Sequence, residues 1–171
     1  MKVYLELTDA LYQELMGHLL PGDALTEQAA FLFASSQQRQ ETTLFQVVDY
    51  FKARSEDFVS QEGDYLQLSD ATRAKLIKRA HDLGTSLVEL HSHPGPFPVA
   101  FSLADRFGLI ETVPHMWWRL NGRPYLAIVV GPTGFDALLW LDNPKIPRRL
   151  DGVRVEGRLT EPTNSSLGGW R

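Results

Sequence analysis

Apolar and polar residues alternate from Val3 to Leu7, the period of a short edge strand. Thr8 then offers a helix N-cap, and Leu11, Leu15 and Leu19 recur at helical spacing until Pro21-Gly22 stops the run. Gln28 to Ser35 is apolar enough for a buried strand, and Thr42 to Tyr50, with Leu44, Phe45, Val47 and Val48, suits its neighbour. Ser55 to Asp64 is polar and reads as a loop. Ser69 or Asp70 caps a second helix that runs to about His81, with Gly84 as its stop.

Ser86 to His91 reads as a central strand. Pro94 to Phe101 is a loop, and Ser102 starts a third helix that reaches roughly Ile110. Pro124 to Val130 and Phe135 to Asp142 are strands joined by Gly131-Pro132-Thr133-Gly134, a hairpin signal. The order of elements predicts an α/β domain, a mixed β-sheet with helices packed on its faces. After Asp142 the composition shifts to Pro144, Pro147, Arg148, Arg149 and later Gly168-Gly169. Residues 1–143 are therefore expected to form one domain, and 144–171 an extension that wraps the surface or is flexible.

Composition narrows the chemistry. With 171 residues, 43% hydrophobic and 22% charged, the chain suits one soluble globular domain. A formal net charge of -4 gives no general basic field for nucleic acid. Glu6, Asp9 and Glu14 interrupt the N-terminal segment where a signal peptide needs an unbroken apolar core, and no stretch suits a bilayer. A cytoplasmic protein is the expectation. Because there is no cysteine, any metal must be held by histidines and carboxylates.

Three features then point to one site. His91-Ser92-His93 ends the predicted central strand, and alternation places both imidazoles on the same side. Two imidazoles so spaced can chelate one ion, but an isolated His-x-His is short and also fits a core histidine beside a loop histidine. Ser102 and Asp105 have the spacing of a capping box, which any helix start can use. Asp105 would also lie near the strand end that presents the histidines and could complete a two-His, one-carboxylate set. Glu27 precedes the strand Ala29-Ala30-Phe31-Leu32. Most glutamates are solvated, but a carboxylate beside a metal can accept a proton from water. Ser102 can cap its helix or donate to a developing oxyanion, and sequence does not choose between these roles.

Together, Glu27, His91-Ser92-His93-Pro94 and Ser102-Leu103-Ala104-Asp105 resemble the signature of the JAMM (JAB/MPN) zinc metalloproteases. The element order from about residue 3 to 142 is similar as well. The loop between His93 and Ser102 is one residue longer than is usual in that family, an insertion a loop absorbs cheaply. The resemblance implies a JAB/MPN, cytidine-deaminase-like fold. It implies one zinc ion per chain held by His91, His93 and Asp105, with Glu27 as the base and Ser102 supporting the tetrahedral intermediate. It also implies cleavage after the C-terminal glycine of a ubiquitin-like protein, in precursor processing or in removal from targets.

The one-domain form resembles standalone bacterial members that accompany ubiquitin-like conjugation enzymes, some of them in antiviral defence. Expected partners are a ubiquitin-like protein or its conjugate and enzymes of that conjugation pathway, with neither nucleic acid nor membrane. Phe97, Phe101, Trp117 and Trp118 are candidate walls of a substrate groove, against the alternative of core packing. Leu167-Gly168-Gly169 resembles the end of a ubiquitin-like protein, although a plain polar tail explains it as well. His18, His81 and His115 read as helix-surface or loop residues. Two other functions fit the same residues: a zinc hydrolase acting on a small peptide or sulfur-carrier adduct, and a non-catalytic MPN-type interaction module.

Overall fold

A computed structural model describes residues 1–23, 25–61 and 66–170. Strand β1 spans Lys2–Leu7, helix α1 Asp9–Leu19, β2 Ala29–Arg39 and β3 Thr42–Lys52. A short hairpin follows from β4 (Phe58–Gln61) and β5 (Leu66–Leu68), so the segment expected to loop holds a strand; its residues 62–64 lie outside the described residues. Helix α2 covers Asp70–Leu83, β6 Ser86–Ser92, α3 Leu103–Arg119, β7 Tyr125–Gly131 and β8 Gly134–Trp140. Strands β9 (Gly152–Val155) and β10 (Arg158–Thr160) complete the order.

Eight strands form one mixed sheet in the order β10-β9-β1-β3-β2-β6-β7-β8. Three neighbour pairs are parallel, β1 with β3, β1 with β9 and β6 with β7, and the other four are antiparallel. The chain is thus α/β with helices on both faces of a mixed sheet, as the pattern of elements predicts.

Strand alternation sorts the residues into two cores. Val3, Leu5, Leu32, Val88, Leu90 and Ile128 face α1, with its buried Leu15 and Leu19. Phe31, Phe33, Leu87, Ala127 and Val129 face α2 and α3, through Leu76, Ile77, Ala80, Leu109, Val113 and Met116. The expected caps are present: Thr8 accepts from the Leu11 N–H, Ser69 from that of Thr72, and Gly84 ends α2 in the left-handed region at φ 68.

Three differences from the sequence reading have clear causes. Strand β1 is interior, because β9 pairs on its outer side. The segment after residue 143 is not a loose tail: β9 extends the sheet, Leu150 is fully buried, and Asp151 Oδ2 accepts from the Val3 N–H at 2.8 Å. Helix α3 runs past Ile110 to Arg119 with Pro114 inside it. Leu109, Val113 and Met116 continue its buried face, which offsets the one backbone hydrogen bond that proline forfeits.

Candidate metal centre

The site forms where β6 ends over the first turn of α3. His91 pairs with Ala29 on β2 and with Val129 on β7, and both neighbours belong to the core facing α3. Residues paired across a sheet share a face, so His91 points towards α3. His93 follows two residues later, with its N–H donating to the Val130 carbonyl at 2.8 Å. Asp105 is the third residue of α3. Its Oδ2 accepts from the Ser102 N–H at 2.8 Å, while Ser102 Oγ accepts from the Asp105 N–H at 3.1 Å, a complete capping box.

Glu27, His91, His93 and Asp105 each offer a ligand atom, and all four atoms lie within 4.8 Å of one another. The two Nε2 atoms are 3.3 Å apart, and Asp105 Oδ2 is 3.2 Å from each. Glu27 Oε1 stands 3.3 Å from His93 Nε2. Hydrogen bonds alone satisfy this triangle poorly. If each imidazole donates to Asp105, two N–H groups confront each other across the third edge; a cation at the centre suits all three donors. The set could hold a metal ion.

Burial sharpens the electrostatics. Glu27 is 3% exposed and His91 9%. Burial opposes charge on His91, but the hydrogen bond and charge of Asp105, with Glu27 and Glu89 behind it, outweigh this and raise its pKa above 6.5. Burial also works against the Asp105 carboxylate, yet the two imidazoles and the Ser102 N–H hold its pKa far below the usual range. The metal-free protein therefore keeps a proton on His91 to higher pH than a free imidazole. The stability this proton contributes is fully present below the unfolded-state pKa near 6.5 and is lost as pH rises through the higher folded value. A metal must displace it, so apparent metal affinity should rise roughly tenfold per pH unit for each proton displaced, until the folded pKa is passed. Titrations at a series of pH values measure this slope, and a flat profile contradicts it.

Several residues that the sequence does not single out surround the cluster. Ser92 is fully buried between the two histidines; its Oγ accepts from the Gln28 N–H at 2.9 Å and its N–H donates to the Gln28 carbonyl at 3.0 Å. Gln61 Nε2 donates to the Glu27 carbonyl at 3.0 Å. Glu89 shares the face of His91 and accepts from the Tyr125 hydroxyl at 2.7 Å; burial leads the causes that raise its pKa. The strand alternation Glu89, His91, His93 was the available signal for Glu89.

A cleft of about 820 Å³ opens beside the ligands, lined by Phe31, Leu66, Leu68, Arg73, Glu89, Phe107 and Tyr125 among others. None of the four aromatic residues proposed as groove walls lines it. Phe101 is 3% exposed and its ring lies 5.8 Å from that of His91, so it buttresses that imidazole instead of meeting solvent. Trp117 packs against the α3-side core, whereas Phe97 and Trp118 are exposed, Trp118 with its ring 6.3 Å from that of His115. His115 does line it, and His18 Nε2 lies 2.9 Å from the Ala29 carbonyl, tying α1 to the start of β2. Leu167-Gly168-Gly169 forms a short 3-10 turn with Gly169 against the Arg106 guanidinium, outside the cleft.

Gly131 is needed for close approach. A Cβ there would meet Val99 Cγ2 at 2.5 Å and the His93 carbonyl at 3.3 Å. Gly131→Ala should therefore destabilise the fold by about 1–3 kcal/mol, read from the denaturation midpoint. An unchanged midpoint would show that the loop yields freely.

Among the described residues, no helix is long and apolar enough to cross a membrane. Comparison with protein-family models finds no match for this chain, and comparison with curated proteins finds none either.

Proposed function

We propose that this chain is a zinc-dependent peptidase or isopeptidase of the JAB/MPN type that cleaves after the C-terminal glycine of a ubiquitin-like protein. The observation that carries the reading is the triangle of His91 Nε2, His93 Nε2 and Asp105 Oδ2, with edges of 3.3, 3.2 and 3.2 Å. Donors arranged tetrahedrally at 2.0–2.1 Å from zinc stand about 3.3–3.4 Å from one another, so the triangle matches one face of such a site. The donor set of two imidazoles and one carboxylate also suits zinc and leaves a fourth position for water.

When bound, zinc supplies Lewis acidity towards a carbonyl and lowers the pKa of water. The chain's own residues do the rest. Glu27 is buried, beside His93, and its carboxylate takes a proton from the attacking water. It then delivers that proton to the leaving amine. Ser102 Oγ accepts the Asp105 N–H, so the cap leaves its own hydroxyl proton free to be given to the carbonyl oxygen; cap and oxyanion roles are compatible. The cleft beside the ligands receives the extended end of the modifier, which gains affinity by backbone pairing with a strand edge.

A bacterial, cytoplasmic role in ubiquitin-like conjugation, including antiviral defence, belongs to the same proposal, with the modifier or its conjugate and the conjugation enzymes as partners. The test is incubation of the zinc-loaded protein with ubiquitin-like precursors that carry an extension beyond Gly-Gly, followed by mass analysis. The expected result is a single cut after the second glycine, abolished by a chelator. Cleavage that survives the chelator, or no cleavage of any such precursor, contradicts the proposal.

A further inference from the structure

Two metal-ligand elements must keep their spacing: β6, which carries His91, and the start of α3, which carries Asp105. The chain between them is Pro94-Gly95-Pro96-Phe97-Pro98-Val99-Ala100-Phe101, whose three prolines lack an N–H to donate. Among the described residues, the hydrogen bonds made by its second half go to the C-terminal segment Thr163–Ser166. The Phe101 N–H donates to Ser166 Oγ at 2.9 Å, and Ser165 Oγ donates to the Val99 carbonyl at 3.1 Å. Thr163 Oγ1 is 3.4 Å from the same carbonyl.

That segment is itself fixed to the sheet. The Ser166 N–H donates to Asp136 Oδ2 at 3.0 Å, and the Thr163 N–H to the Phe135 carbonyl at 2.9 Å. Asp136 and Ser166 are both fully buried. Asp136 pairs with Val129, which pairs with His91, so Asp136 and His91 stand in one row of the sheet. A continuous path results: His91, Val129, Asp136, Ser166, Phe101, then Ser102 and its capping partner Asp105.

We propose that Ser166, anchored by Asp136, is a positioning residue that sets the place of Asp105 relative to His91 by holding the Phe101–Ser102 backbone. The inference rests on the metal-site reading above. A ligand set must be held within about 0.5 Å of its working geometry by surrounding contacts. Removing the Ser166 hydroxyl leaves the buried Phe101 N–H without its acceptor and frees the segment that ends in the Asp105 helix cap. The consequence is a ligand displaced from its partners in a chain that stays folded.

The test uses the full chain and three variants: Ser166→Ala, Ser165→Ala and, as a control, Leu15→Ala. Leu15 is buried on the opposite face of the sheet, so its loss destabilises the fold without touching this path. Zinc affinity is measured by competition with a chromophoric chelator, well below the melting midpoint of every variant, together with the visible spectrum of the cobalt-substituted form. Loss of these ties should weaken zinc binding roughly tenfold in Ser166→Ala and a few-fold in Ser165→Ala, with an altered cobalt spectrum, whereas Leu15→Ala binds as the unaltered chain does. If Ser166→Ala does not fold, Ser165→Ala decides, because its hydroxyl is at the outer edge of the segment. Unaltered affinity and spectrum in the serine variants overturn the positioning role and leave the metal site standing. No zinc binding by the unaltered chain overturns the metal site and this inference together.

Discussion

His91→Ala and Asp105→Ala are each expected to lose stoichiometric zinc, and with it all hydrolysis. Each change removes one corner of a triangle whose three edges lie between 3.2 and 3.3 Å. Two remaining donors cannot enclose an ion as three do, and Glu27 is placed beside His93, not at the missing corner. Asp105→Ala has a second cost, because the carboxylate also accepts from the Ser102 N–H; losing half of a capping box costs about 1 kcal/mol. Asp105→Asn separates the two roles. Its amide oxygen can still accept from Ser102, so the cap survives and only the charge facing the two imidazoles is lost; zinc affinity should fall, with a smaller loss of stability than in Asp105→Ala. Metal analysis of the purified variants, paired with their melting midpoints, reads both effects. Normal zinc content in His91→Ala and Asp105→Ala would overturn the ligand assignment.

Glu27→Gln is expected to keep its zinc and lose turnover by about 10²–10⁴-fold, the usual worth of a general base. Glutamine has nearly the same shape but cannot accept the proton from water. The backbone at Glu27 is held independently, by Gln61 on its carbonyl and by the Ser92 pairing with Gln28, so the strand start should not move. Full activity would remove Glu27 from the mechanism. Loss of zinc would instead make it a fourth ligand, a role its 3.3 Å distance from His93 Nε2 also fits.

Three residues of this cluster, His91, His93 and Asp105, carried local signals in the sequence, whereas Glu27 was singled out only through the metal and the family resemblance. Strand alternation puts His91 and His93 on one side, Pro94 closes the strand, and Ser102 with Asp105 has helix-start spacing. Their meeting was not legible from spacing alone, since Glu27 and His91 are brought together only by the pairing of β2 with β6, which sets Ala29 opposite His91. The pairing of β9 with β1 was hidden for the same reason. Gly152-Val153-Arg154-Val155 carries little local strand signal, and its partners lie at the far end of the chain. The surroundings of the aromatic residues were not legible, because ring character says that a side chain prefers contact, not which contact. Phe101 found the core beside His91, Trp117 packed against the α3-side core, and Phe97 and Trp118 found solvent. The length of α3 was missed because Pro114 interrupts a buried face that Val113 and Met116 carry onward.

X-ray diffraction from zinc-loaded crystals on both sides of the zinc absorption edge locates the ion itself. One anomalous peak per chain is expected, about 2.0–2.1 Å from His91 Nε2 and His93 Nε2 and about 2.0–2.2 Å from Asp105 Oδ2. A peak elsewhere on the chain, or none at this cluster in zinc-saturated crystals, would contradict it.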